Sequence, residues 1–173
     1  MVYRTITNFL DFLDYFNELI HPEIWSYDYF PIIKKDGKLI CQSEPFYYAL
    51  ETFSEQSKKT GKPFWAYCES LAYIGNSSSM PVATEAYLRY EAFSALAYGA
   101  QGIVYWTYGQ RKPNASENYK SALVNLNGKK SSAWFAAQKV NREIKRFNNV
   151  FYGCKILMVR HTGDKIYKGT KKL

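Results

Sequence analysis

Histidine and cysteine are sparse in this chain of 173 residues, and each shortage excludes a chemistry. The two histidines, His21 and His161, lie far apart, so no histidine-based metal cluster can be assembled. No Cys/His or Ser/His/Asp arrangement is present either. Cys41, Cys68 and Cys154 are odd in number and lack metal-ligand spacing; they read as free thiols, which argues against a disulfide scaffold. No cofactor and no metal is expected. No apolar run approaches the length of a membrane span, so no membrane partner is expected. Arg4, Asn8 and Asp11 interrupt any apolar core near Met1, so no signal peptide is read there, and the compartment stays open. A Gly-rich phosphate loop is also missing. The segment Tyr98-Gly99-Ala100-Gln101-Gly102 falls between a helix and a strand, on the wrong side for that role. Asn76-Ser-Ser and Asn114-Ala-Ser match the glycosylation sequon, a pattern common by chance.

Acids are scarce in the second part of the chain. From Arg111 onward they are Glu117, Glu143 and Asp164, against a net charge of +8 for the whole sequence. Such asymmetry can mark a nucleic-acid binder. Here the cations fall on one helix face (Lys139, Arg142, Lys145, Arg146) and in a polar tail (Lys165, Lys168, Lys171, Lys172). A solvated face and a tail account for them, and no nucleic acid is expected as a partner. What the chain has in abundance is aromatic side chains, at 18% of residues. They fit a Tyr-rich core and a carbohydrate cleft equally well, because sugar faces stack on rings.

The order of elements points to an α/β fold. Apolar positions from Phe9 to Ile20 have helical spacing with a face of Phe9, Phe12, Leu13, Phe16, Leu19 and Ile20. His21-Pro22 ends that helix. Glu23–Tyr27 reads as a short strand, followed by a polar loop with a turn at Asp36-Gly37. Ser43-Glu44-Pro45 starts a second helix, with Ser43 as its cap, and Gly61 closes it. Pro63–Cys68 is the next strand, with Glu69 just beyond it. A Ser-rich loop, a helix over about Ala83–Tyr98 and a strand at Ile103–Trp106 follow. The third helix should bury Tyr87, Leu88, Phe93, Leu96 and Ala97. The last begins at Ser131 or Ser132, runs to about Phe147 and should bury Trp134, Phe135, Val140 and Ile144. Lys155–Arg160 reads as one more strand, and Thr162–Leu173 as a disordered basic tail. Strands alternating with helix-length crossovers mean a parallel sheet. The strand-to-helix loops at Asp28–Gln42, Ser70–Val82 and Gly109–Lys130 are long and lie at one end of the strands. In a barrel of alternating strands and helices that end holds the active site.

Glu69 is the leading candidate for chemistry. Glycosidic hydrolysis needs two carboxyl groups, and an acid fixed at the end of a buried strand suits either role. A solvated loop acid is the other reading. Asp28, flanked by Tyr27 and Tyr29, can bind a sugar hydroxyl or satisfy backbone amides of its own loop. Trp106 and Tyr108 end the third strand as a stacking platform or as core. Glu117 is the one acid in the loop after it, where a solvated side chain is the default.

Lys62-Pro63-Phe64 through Glu69, Leu88-Arg89, Ala95–Gln101 (ALAYGAQ) and Gly102–Tyr108 (GIVYWTY) together resemble the second half of the catalytic barrel of the family 42 β-galactosidases. Ser26-Tyr27-Asp28-Tyr29-Phe30-Pro31 is similar to that family's pattern after its sixth strand. The resemblance covers about residues 23–127. It implies a retaining glycosidase on a TIM barrel, with the acid/base Glu after strand four and the nucleophilic Glu after strand seven. Residues 1–160 would then be the C-terminal part of the barrel, from helix five through strands six to eight, with residues 161–173 starting a following region. Glu69 falls near the nucleophile, although the interval from Pro63 leaves Cys68 as the other position for it. Asp28, Tyr29, Trp106, Tyr108 and Glu117 fall among substrate-binding positions, and the acid/base Glu is not in this chain. A full barrel takes about 250 residues, so three units of eight are expected here: a fragment inactive alone, with strand edges open to self-association. The substrate implied is a β-galactoside. A non-catalytic carbohydrate-binding chain is the alternative.

Overall fold

The computed structural model describes residues 8–75, 79–114 and 118–173. Helix α1 (Phe9–Ile20) begins where the Asn8 side chain accepts the Asp11 amide. It ends at His21, in the left-handed region before Pro22. Strand β1 (Trp25–Tyr27) is followed by a hairpin of β2 (Ile32–Lys35) and β3 (Lys38–Cys41), then by helix α2 (Ser43–Thr60). Strand β4 (Phe64–Glu69) leads into β5 (Ala72–Ile74) and β6 (Ser79–Met80), and helix α3 (Glu85–Ala97) returns to β7 (Gly102–Trp106). Strand β8 (Asn118–Ser121), helix α4 (Ser132–Arg146) and the short α5 (Asn148–Phe151) complete the described elements.

Strands β1, β4 and β7 form a parallel sheet in that order, with β4 central. Gly61 and Gly99 end α2 and α3 with φ of 69° and 96°, a region an L side chain avoids, so each helix stops within a few residues of the next strand. Side chains alternate across β4. Phe64, Ala66 and Cys68 are buried against the helices, while Trp65 between them stays 40% exposed. Two core clusters sit under this helix-covered face. One joins Phe46, Leu50 and Phe53 of α2 to Trp25, Phe64 and Tyr98. The other joins Cys68 to Leu88 and Ala92 of α3 and to Ala133, Ala137 and Val140 of α4. Arg89 links these two helices through ion pairs to Glu85 and Glu143.

The three long connections are not structureless. Segments from each of them pair into a second, antiparallel sheet of order β3-β2-β6-β5-β8. The hairpin turns on Asp36 and Gly37, with φ of 50° and 76°, the paired positive values of a two-residue hairpin turn. These strands have two to four residues each and carry lysines, as in Ile32-Ile33-Lys34-Lys35, so they give no alternating pattern long enough to read. Leu71, Tyr119 and Ala122 form their small core. All five strands follow the carboxyl ends of β1, β4 or β7, so the added sheet belongs to that end of the molecule.

Other expectations are corrected. Glu69 is the last residue of β4 rather than the first beyond it. Gln42, not Ser43, occupies the position before α2, and no side chain caps that helix. Ser131 does cap α4, accepting the Trp134 amide. Lys155–Arg160 forms no strand. The basic tail is ordered against α2: the Tyr167 ring stacks on Tyr47 at 5.5 Å, and Lys171 lies 2.9 Å from both Glu51 and Glu55. Of the α1 face only Leu13 is buried, and Phe9, Phe12, Leu19 and Ile20 are exposed, as are Ala97 and Phe135. Periodicity marks an apolar stripe but not whether anything covers it. No described helix is long and apolar enough to cross a membrane.

Candidate active site

The parallel sheet has helices on one face. On the other, the β4–β7 register places Trp65 opposite Gly102, Tyr67 opposite Val104 and Glu69 opposite Trp106. Gly102 is needed there, since a methyl group at that position would lie 2.7 Å from the Trp65 indole. The Tyr67 and Trp106 rings meet edge to face at 6.2 Å, and Trp106 is 42% exposed. This face is therefore aromatic and half open, with Glu69 at its carboxyl end. The connection beyond β4 is pinned: the Ser70 and Leu71 amides both donate to the Trp106 carbonyl, at 2.8 and 2.9 Å.

Glu69 is 4% exposed. Its own amide donates to Oε2 of Glu91 at 2.7 Å. Glu91 lies on α3 and is 1% exposed. Burial, and then the nearby charge of Glu91, push the Glu69 carboxyl up to about 9. Burial pushes Glu91 up to about 8, against the opposing effect of the Glu69 amide. Neither carboxylate pairs with a cation among the described residues. Among the described residues Oε1 of each lacks a hydrogen-bond partner, as does the buried Tyr27 hydroxyl. Sequence reasoning missed Glu91. The available signal was its position on the stripe Leu88, Ala92, Ala95, where an acid interrupts an otherwise apolar face.

The remaining predicted residues are more dispersed. Asp28 is exposed, one residue past β1. Tyr29 is half-buried, and its hydroxyl donates to Gln42 Oε1 at 3.1 Å, tying it to the start of α2. Tyr108 is exposed and packs edge-on against Trp134 of α4 at 5.9 Å. Glu117 lies outside the described residues. The structure thus brings Glu69 and Trp106 together, leaves Asp28 and Tyr29 at the same end of the sheet, and turns Tyr108 toward a helix. Cys68 is fully buried against Leu88 and Ala92, and burial pushes its thiol well up. Among the described residues no group of His, Cys, Asp and Glu could hold a metal ion.

The buried acids make stability depend on pH. A carboxyl whose folded value is raised binds more protons folded than unfolded, so stability falls as pH rises from the unfolded value, near 4.5, to the folded one. Urea unfolding is expected to show a more stable protein at pH 5 than at pH 8, with the slope reduced in Glu69→Gln. Equal midpoints at the two pH values would show that these acids are not held neutral.

The family 42 glycoside hydrolase model, described as β-galactosidase, matches residues 2–147. The β-galactosidase YesZ of Bacillus subtilis (strain 168) is 37% identical over 67 residues, which is 38% of this chain and 10% of that protein. The matched segment thus spans about a tenth of the length of this relative.

Proposed function

Since the chain belongs to the family 42 β-galactosidases, we propose that it forms part of a retaining glycoside hydrolase that cleaves β-galactosides, with Glu69 as the nucleophilic carboxyl. The observation that carries this reading is the place of Glu69: at the carboxyl end of the central parallel strand, buried, and in register with Trp106. Cys68, the other position for the nucleophile, is directed into the helix-packed core, so of the two neighbours Glu69 fits better. A one-residue step along a strand reverses the face a side chain serves.

On this reading β1, β4 and β7 are strands six, seven and eight of a (β/α)8 barrel, and residues 1–160 form its C-terminal part. The aromatic face of Trp65, Tyr67 and Trp106 is then the barrel interior, and Trp106 is a platform on which a galactoside ring stacks. Asp28, Tyr29 and Tyr108 line the strand ends as binding residues, with Glu117 in the last loop. The acid/base carboxyl comes from outside this chain, so the chain alone is inactive, and its open edges at β1 and β7 favour self-association.

The test is hydrolysis of an aryl β-galactoside by the enzyme that contains this chain, alongside a calorimetric titration with galactosides. Turnover with retention of anomeric configuration is expected. Binding without turnover would instead make the chain a carbohydrate-binding module.

A further inference from the structure

We infer that Glu91 is a positioning residue for Glu69: from α3 it holds the amide of the last residue of β4 and decides whether the neighbouring carboxyl carries a proton. This rests on the reading of Glu69 as the carboxyl of the site. The geometry is specific. Glu91 occupies a turn of α3 whose other inward residues are Leu88, Ala92 and Ala95, and it is among the most completely buried side chains of the chain. An acid there carries a desolvation cost that an apolar residue would avoid. What it gains is one hydrogen bond, from the Glu69 amide at 2.7 Å. That bond joins helix and strand at the point where the strand delivers Glu69.

The surroundings decide which carboxyl takes the charge. Tyr27 of β1, Cys68 of β4 and Tyr105 of β7 all feel the charge of Glu91, and none is cationic. All three are held in their neutral forms chiefly by burial. Two carboxyls in such a setting do not both ionise readily. The amide N–H favours a negative charge on Glu91, whereas among the described residues no donor reaches Oε1 of Glu69. The first charge therefore settles on Glu91, and Glu69 keeps its proton. The pair behaves as one coupled acid in two steps. The phenol of Tyr105 donates to Asn141 Oδ1 of α4 at 2.8 Å.

The experiment is a carboxyl-carbon NMR titration of the full chain labelled at glutamate, with the Glu69 signal assigned by its loss in Glu69→Gln. In the unsubstituted protein the Glu69 signal is expected to titrate in two steps, the larger one above neutrality. Glu91→Gln retains an oxygen for the Glu69 amide but removes the charge. It should lower the Glu69 midpoint by about one pH unit or more. An unchanged midpoint in a folded Glu91→Gln protein overturns the inference. If that variant does not fold, the unsubstituted protein decides: a single-step Glu69 curve overturns the coupling, and a two-step curve supports it. No substrate is involved. A failure of the hydrolase reading would appear separately, as undiminished turnover in Glu69→Gln, and would leave the titration unaltered.

Discussion

Replacing Glu69 by Gln in the proposed hydrolase is expected to lower turnover of an aryl β-galactoside by roughly 10⁴-fold or more, the scale seen when a covalent nucleophile is removed. The substitution is close to isosteric. Glu69 is held neutral by burial near pH 7, so an amide in its place leaves the local electrostatics of the fold almost unchanged. Activity should therefore collapse while the protein at pH 7 becomes no less stable, and in fact more so, because Gln, unlike Glu69, cannot ionise on unfolding. The pH profile adds a second signature. A nucleophile works ionised, so a raised value moves the acidic limb of kcat/KM toward alkaline pH. Glu69→Ala offers a further control, since a small anion such as azide can occupy the vacated space and restore turnover with inverted product configuration. Undiminished turnover in Glu69→Gln would remove this residue from the mechanism.

Phe64→Ala is expected to destabilise the protein by about 3–5 kcal/mol, the range for deleting a buried aromatic ring. Phe64 is fully buried at the start of the central strand. It packs with Phe46, Leu50 and Phe53 of α2 and with Tyr98 beyond α3, so its ring joins α2 to the end of α3 on the helix-covered face. Its carbonyl also accepts the Gln101 amide at 2.9 Å, at the entry to β7. Losing the ring leaves a cavity where three segments meet, and none can collapse into it without shifting the register that sets Glu69 against Trp106. Urea unfolding measures the loss. Trp65→Ala on the open face of the same strand serves as the comparison and should cost far less, because that ring is already partly in water. Equal losses would show that the sheet is not covered on one side only.

The parallel frame was legible because its signals are local and strong. Gly61 and Gly99 mark helix ends, and Phe64, Ala66 and Cys68 alternate with Trp65 and Tyr67. The antiparallel sheet was not, because its strands are too short and lysine-rich to carry a pattern, and their pairing joins segments of three separate connections. The Asp36-Gly37 turn was visible, but a turn alone does not reveal that its flanks pair. The tail misled for a similar reason. Its lysines read as solvated, while the contacts that order it, Tyr167 on Tyr47 and Lys171 beside Glu51, connect positions more than a hundred residues apart. At the site, Glu69 and Trp106 could be read from their places at strand ends. Glu91 left only a weak signal, an acid on the Leu88, Ala92, Ala95 stripe, because an acid within a helix is ordinarily solvated; the packing of α3 against β4 is what places it beneath the strand.

The most direct test uses a 2-deoxy-2-fluoro-β-galactoside with a dinitrophenolate leaving group. That leaving group departs without protonation, so labelling does not depend on the acid/base carboxyl. The fluorine slows hydrolysis of the glycosyl-enzyme, and the adduct accumulates on the nucleophile. Peptide mass spectrometry of the treated enzyme should place one fluorogalactosyl group on Glu69. A label on Cys68 or on any other residue, or no label under turnover conditions, would contradict the assignment of Glu69 as the nucleophile.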